Sequence, residues 1–174
     1  MSDLEKTLAV INQMRADRVI DSYAIGGAIA AFFYIEPGAT FDVNIFVVME
    51  TGASGLIALN PIYSYLRNLG YVEEHETILI EGWAVQFLPP INALYEEALA
   101  TPREIQFKET TTWILKAEYL MAICLQTGRA KDHARLVEFI ESGIADMPFF
   151  DKILDCYELK TQWSDFQKFS LKCK

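Results

Sequence analysis

The sequence predicts an α+β domain: a mixed β-sheet with flanking helices, followed by a helical extension. Three observations predict it. Short β-branched and apolar runs alternate with helical periods between residues 20 and 115, a tight-turn pair at Glu81-Gly82 separates two such runs, and from Ala117 onward only helical periodicity is present. The expected division is a sheet domain over residues 1–115 and a helical extension over 116–174 packed on it. With 174 residues and 52% hydrophobic content, the chain has enough apolar side chains for one well-filled core, or one core plus a small added layer.

Ser2 and Glu5 stand at capping-box spacing, and Leu4, Leu8, Ile11 and Met14 recur at helical intervals, so an amphipathic helix comes first. Tyr23-Ala24-Ile25 is a short strand ending at Gly26-Gly27. Residues 28–35 have helical composition, and Pro37-Gly38 stops them with a turn. Residues 42–49 read as a buried strand and 51–59 as a loop. Pro61 suits the start of the next helix and Gly70 its end. Residues 76–80 and 83–88 form a hairpin about Glu81-Gly82, and 92–100 form a helix. Ile105 with Phe107, and Trp113 with Leu115, mark two short strands around a Thr-rich turn. Helices then follow at 117–127 and 130–142, a stop at Gly143, and shorter helices near 151–158 and 161–169. There is no internal repeat, low-complexity tract or linker.

A formal charge of −9 and a pI near 4.7 argue against a nucleic-acid or anionic-membrane partner, because phosphate backbones are bound by Lys and Arg that displace counterions. Cys124, Cys156 and Cys173 are odd in number and widely spaced, with no Cys-x-x-Cys or Cys/His cluster, which disfavours structural zinc and a disulfide framework. Met1-Ser2-Asp3-Leu4-Glu5 lacks the basic-then-apolar order of a secretory signal. The uncharged run 23–35 falls short of the roughly 20 apolar residues a bilayer requires. The expectation is a cytoplasmic protein with no membrane partner.

The candidate site centres on Asp42. Side chains alternate across a strand, so Asp42, Asn44 and Phe46 share one face, and Ala84, Gln86 and Leu88 share a face of the second hairpin strand. If those strands are neighbours, Asp42, Asn44 and Gln86 converge beside the Gly26-Gly27 turn, whose free N–H groups at a helix start favour phosphate.

This arrangement resembles the nucleotidyltransferase superfamily that includes DNA polymerase beta, and especially the small bacterial nucleotidyltransferase-like proteins of the abortive-infection toxin type. Their pattern is a strand, a Gly-Gly or Gly-Ser turn and a helix, then Thr-x-Asp-h-Asp-h, with h apolar, and later a third acid on another strand. Here it stands as Ile25-Gly26-Gly27-Ala28, Thr40-Phe41-Asp42-Val43-Asn44-Ile45 and Val85-Gln86-Phe87. In those relatives a Pro-Glu-led helix carries a lysine and is followed by a Gly-Arg-x-Lys-Asp turn. Here Ala117-Glu118 leads a run that reaches Cys124, and Gly128-Arg129-Ala130-Lys131-Asp132 follows. The resemblance implies a nucleotidyltransferase-type sheet with an NTP as partner. Gly26, Gly27, Thr40, Asn44, Gln86 and Lys131 then line the nucleotide site, and Asp42 is catalytic residue and magnesium ligand.

The departures from the pattern shape the functional reading. The family's acids hold two divalent metals, which activate the attacking hydroxyl and stabilise the pyrophosphate leaving group. Only Asp42 remains, with Asn44 and Gln86 at the other two acid positions and Cys124 where the lysine would stand. One carboxylate plus substrate phosphates suffices for weak magnesium binding. Loss of a single positioned acid/base group already costs ~10²- to 10⁴-fold in rate. The expectation is a nucleotidyltransferase-like protein with a degraded metal site, inactive or weakly active, that binds a nucleotide or regulates a partner, as in a toxin–antitoxin-like pair. The alternatives are a divergent enzyme moving a nucleotide from NTP to a protein or small molecule, and a structural module. For the last, Phe149, Phe150, Tyr157, Trp163, Phe166 and Phe169 supply an aromatic tail that either covers the core or forms a homo-oligomer or partner surface.

Plainer readings stand beside these. Gly26-Gly27 suits any tight turn, Asp42 can cap a strand start, Asn44 and Gln86 can be amides bonded to backbone, and Lys131-Asp132 can be a solvated helix cap. His75, within Glu73-Glu74-His75-Glu76, reads as an exposed strand edge or loop, and His133 has no partner at ligand spacing. Serine-hydrolase, P-loop and zincin patterns are absent from the sequence.

Overall fold

The computed structural model describes residues 3–36, 40, 42–49 and 59–172. Helix α1 (Leu4–Ala16) leads to β1 (Ser22–Gly26), α2 (Gly27–Ala31), β2 (Asp42–Val48), α3 (Asn60–Asn68), β3 (Val72–Glu74), β4 (Thr77–Ile80), β5 (Trp83–Leu88) and α4 (Ala93–Ala100). Then come β6 (Arg103–Phe107), β7 (Thr110–Ile114), α5 (Ala117–Thr127), α6 (Ala130–Ser142), α7 (Met147–Cys156) and α8 (Lys160–Lys172). The strands form one seven-stranded sheet in the order β3-β4-β5-β2-β1-β7-β6. The expected α+β class with a mixed sheet is thus the one the chain adopts.

The centre of the sheet is β2. It runs antiparallel to β1, with Gly26 opposite Asn44 and Ser22 opposite Val48, and parallel to β5, with Asn44 opposite Gln86. Val43, Ile45 and Val47 are fully buried on one face of β2, and β1 is buried from Tyr23 to Gly26. Strands covered on both faces read as near-continuous apolar runs, which is why this pair is visible in the sequence. The β4–β5 hairpin turns at Glu81 (φ 50°) and Gly82 (φ 84°), the two positive angles of a type I′ turn.

Helix α1 places Leu8, Ile11 and Met14 in the core, as its period predicts. Its cap is Asp3, whose carboxylate accepts from the Lys6 N–H at 3.3 Å; Ser2, the cap expected from the sequence, lies outside the described residues. The helix is tied to both halves of the sheet. Buried Thr7 donates to the Ile80 carbonyl at 2.9 Å, and Asn12 Nδ2 donates to the Thr111 carbonyl at 2.8 Å.

Three local expectations change and one holds. Helix α2 is five residues long, not the eight of 28–35, because the chain tightens after Ala31: the N–H of Tyr34 bonds the Ala31 carbonyl three residues back. The run Glu73–Glu76 is the exposed strand edge and loop expected, formed by edge strand β3 and its turn at His75. Its three residues are all exposed and two are acidic, so no alternation announces it, and short charged edges are how sheets avoid pairing with other chains. Thr110, Thr111 and Thr112 belong to β7, the turn being Lys108-Glu109. Helix α7 begins before residue 151, since Asp146 caps it by accepting from the Phe149 N–H at 3.0 Å while buried Glu118 accepts from the Asp146 N–H at 2.7 Å. The Pro37-Gly38 turn and most of the 51–59 loop lie outside the described residues.

Helices α5 and α6 have the expected bounds. Helix α5 is apolar around most of its circumference and is buried between α4, α6 and α7, with Tyr119, Leu120, Met121 and Ala122 all in the core. In the tail, Phe150 is fully buried edge-on to Trp163, which stacks on Phe166, whereas Phe169 is 73% exposed. No described helix is long and apolar enough to cross a membrane.

Packing against β1 is close at Gly26, where a Cβ would lie 2.3 Å from Cε2 of the Phe46 ring. Gly26→Ala is expected to cost about 1–3 kcal/mol, as overpacking does. Urea unfolding should show this as a lower midpoint at unchanged slope.

Candidate functional site

At the end of β1 the chain bends through Gly26-Gly27 into α2. Gly27 has φ +61°, and a Cβ there would lie 2.5 Å from Nδ2 of Asn44, so the Asn44 amide lies across the bend. The bend has glycine for two physical reasons at once, a left-handed backbone angle and a side chain packed where Cβ would be. On the far side of Asn44, in register on the parallel neighbour, is Gln86. Three of the predicted residues, Gly27, Asn44 and Gln86, therefore line one cleft of about 290 Å³.

Both amides are half-buried. Among the described residues the Asn44 side chain makes no hydrogen bond, and that of Gln86 makes one long contact, Nε2 to Glu76 Oε2 at 3.4 Å. Neither is a buried amide bonded to backbone.

The other predicted residues are placed differently. Asp42 is on the same face of β2 but at its exposed start, outside the cleft wall, and its Oδ1 accepts from the Thr40 hydroxyl at 2.9 Å. Gly26 is buried under Phe46. Lys131 is exposed and is not part of the wall, whereas its neighbour Asp132 is.

The opposite wall comes from α5 and α6. Asp132 is 1% exposed. Its carboxylate accepts from Arg129 Nε at 2.5 Å and Nη2 at 3.2 Å, in a bidentate pair, and from the Thr127 hydroxyl at 2.8 Å. Arg135 Nη1 is 3.7 Å away. Burial alone would raise the Asp132 carboxyl, but the Arg129 and Thr127 hydrogen bonds and the two guanidinium charges outweigh it and hold it below the ordinary value. Cys124 also lines the cleft, and burial pushes its thiol up to about 11 against the pull of Arg135, so at neutral pH it is a protonated, unreactive group. Tyr95, Phe46, Leu120 and Ile123 add apolar surface. The result is a small cleft with two amides on one side, two arginines and one carboxylate on the other, and a greasy floor.

These residues do not fit the two-metal arrangement that the resemblance implies. Divalent magnesium takes carboxylate and phosphate oxygens. Here the one carboxylate of the expected triad stands outside the cleft and the other two positions present neutral amides. No group of three or more His, Cys, Asp or Glu side chains among the described residues is placed to hold a metal ion.

A second cavity, about 560 Å³, lies at the opposite end of β1 and β2, with Arg15 stacked 4.4 Å over Trp113 at its edge. It contains none of the predicted residues. Arg15, Ser22 and Glu96 supply its polar groups, from α1, β1 and α4.

Sequence reasoning missed the roles of Thr127, Arg129, Asp132 and Arg135. The signal for one was present: Asp132, Leu136 and Phe139 fall on one helical face, which marks Asp132 as inward-facing and Lys131 as outward.

A scan of protein-family models finds no match to this sequence, and no curated protein matches it. Among solved structures, the chain is similar to an antigenic nucleotidyltransferase-like protein from Paracoccidioides brasiliensis, at a TM-score of 0.57 and 16% identity, covering 82% of this chain and 77% of that one. A likeness at that identity is one of fold: the mixed sheet and its flanking helices share the architecture of that protein.

Asp132→Asn is expected to lose about 2 kcal/mol at pH 7, the scale of a hydrogen-bonded charge. Because the folded carboxyl is held below its ordinary value of 3.8, its contribution is complete above that pH and is lost as the pH falls toward the folded value. Urea titrations at several pH values should therefore show the deficit of the variant shrinking below about pH 4.

Proposed function

We propose that this chain is a nucleotidyltransferase-like protein whose cleft binds a nucleotide without two-metal transfer, and that it acts by binding, as a regulator of a partner. The observation that carries the reading is the register pair Asn44 and Gln86, which presents two neutral amides to the cleft where the resemblance expects carboxylates. The chemistry of that exchange favours metal-free binding. Carboxylates and phosphates repel one another unless a cation stands between them, whereas an amide N–H donates to a phosphate oxygen directly. Arg129 and Arg135 add cationic charge on the other wall, offset by Asp132 alone. The fold likeness supports the architecture and, as a superfold, leaves the activity to the site. A toxin–antitoxin-like partner in the cytoplasm accords with the sequence resemblance.

A second reading, a divergent transferase with Asp42 as magnesium ligand, is favoured by one feature. The carboxylate of Asp42 is exposed and oriented by Thr40, open to an ion brought with a nucleotide.

Calorimetry with ATP, GTP, CTP and UTP, each with magnesium or with EDTA, separates the readings. The expected outcome is binding of at least one nucleotide with less than about a tenfold change on chelation, with a matching rise in Tm. Absence of heat with all four overturns the proposal. Transfer of labelled nucleotide to an acceptor that Asp42→Ala abolishes would establish the second reading instead. Restoring both acids in Asn44→Asp/Gln86→Glu should convert metal-indifferent binding into binding that EDTA weakens by about tenfold or more.

A further inference from the structure

The wall of the cleft contains a guanidinium with unfilled donors. The Arg135 side chain is 19% exposed, so most of its surface is out of water. Its contact to Asp132 is an ion pair at 3.7 Å, beyond hydrogen-bond range, and Asp132 has its oxygens taken by Arg129 and Thr127 at closer distances. Its other neighbour, the protonated thiol of Cys124, is a weak acceptor. Among the described residues no oxygen accepts a hydrogen bond from any of the five Arg135 N–H groups. A largely buried cation left this way carries a desolvation cost that a suitable anion removes.

The geometry points to Arg135 as the receptor for a phosphate group, inorganic or on a small phosphomonoester, held in the cleft without a metal ion. The inference rests on the cleft-binding reading above and names the residue and the ligand group. Three features favour phosphate. First, the wall holds two arginines against one aspartate, an excess of one positive charge. Second, Asn44 lines the same cleft as Arg135 with an amide N–H that no described residue accepts, and Gln86 beside it keeps one N–H beyond its long contact to Glu76, so an anion there has donors from two elements, which suits the three or more oxygens of a phosphate better than the two of a carboxylate. Third, at about 290 Å³ the cleft is at the small end of ligand sites, room for a phosphate and part of what it is attached to. The apolar floor at Tyr95, Leu120 and Ile123 then takes the uncharged part of the ester.

Two measurements test this on the full chain in EDTA. In the first, protein labelled with ¹⁵N-arginine is titrated with inorganic phosphate and with AMP, and the Nε–Hε signal of Arg135 is followed. A saturable shift with either probe is expected, and a static signal with both overturns the inference. In the second, AMP affinity is compared in wild type, Arg135→Gln, Arg135→Lys and the distant charge control Lys152→Gln, each first shown to be folded by circular dichroism. About a tenfold or greater loss is expected in Arg135→Gln, a smaller loss in Arg135→Lys because an ammonium keeps the charge and loses the fork, and none in Lys152→Gln. Equal affinity in wild type and Arg135→Gln overturns the role of Arg135 and leaves nucleotide binding standing. A shift with inorganic phosphate but binding of neither AMP nor any NTP overturns the nucleotide reading and leaves the phosphate receptor standing.

Discussion

The interaction on which the rest of this structure depends is the close approach of β1 and its bend to the inner face of β2. Gly26 admits the edge of Phe46, and Gly27 admits the amide of Asn44. Two absent Cβ atoms thus set the distance between the bend and the central strand. Phe46, seated on Gly26, is free to pack against Tyr95 of α4 with ring centroids 5.2 Å apart, and Gly26 also meets Leu115 at the entrance to α5. One contact therefore positions a strand, the helix that leaves the bend and the helix that forms the far wall of the cleft. The site is a by-product of how closely two backbones pack.

Against that wall the electrostatics run counter to the whole molecule. The chain carries a formal charge of −9, yet the cleft gathers two arginines around one carboxylate. Asp132 at the start of α6 is tolerated in a dry place because Arg129 grips it bidentately, Thr127 donates to it and the helix N-terminus favours its sign. With Asp132 saturated, Arg135 is the surplus cation. A negative exterior around a locally positive recess discriminates between anions: polyanions feel the long-range repulsion, while a small one that enters is within a Debye length of the guanidinium groups.

Much of this was legible in the sequence where one physical cause dominated. The buried pair β1 and β2 announces itself by unbroken apolar runs, the hairpin by Glu81-Gly82, and α5 and α6 by periodicity bounded by Gly128 and Gly143. Alternation correctly assigns Asp42, Asn44 and Gln86 to one face of the sheet. It assigns a face and is silent on depth: Asp42 begins its strand in solvent, and two residues on Asn44 is in the cleft. Edge strand β3 was legible only as an exposed strand edge or loop around His75, because no apolar alternation marks its bounds. Arg135 was not legible, since its role follows from Asp132 being already satisfied by Arg129, a competition that no local pattern encodes.

The seam between β1 and β7 has one further consequence. Their parallel pairing rests on Ile25 opposite Ile114, continued by the Leu115 N–H on the Ile25 carbonyl, so little backbone ladder joins the β6–β7 hairpin to the five strands beside it. Side chains supply the cross-bracing. The Tyr23 hydroxyl is hydrogen-bonded to Thr112 and to Asn12, its ring meets Trp113 edge-on, and Asn12 in turn holds the Thr111 carbonyl. A phenol and an amide thus rivet the two portions of the sheet together where the backbone ladder is thin.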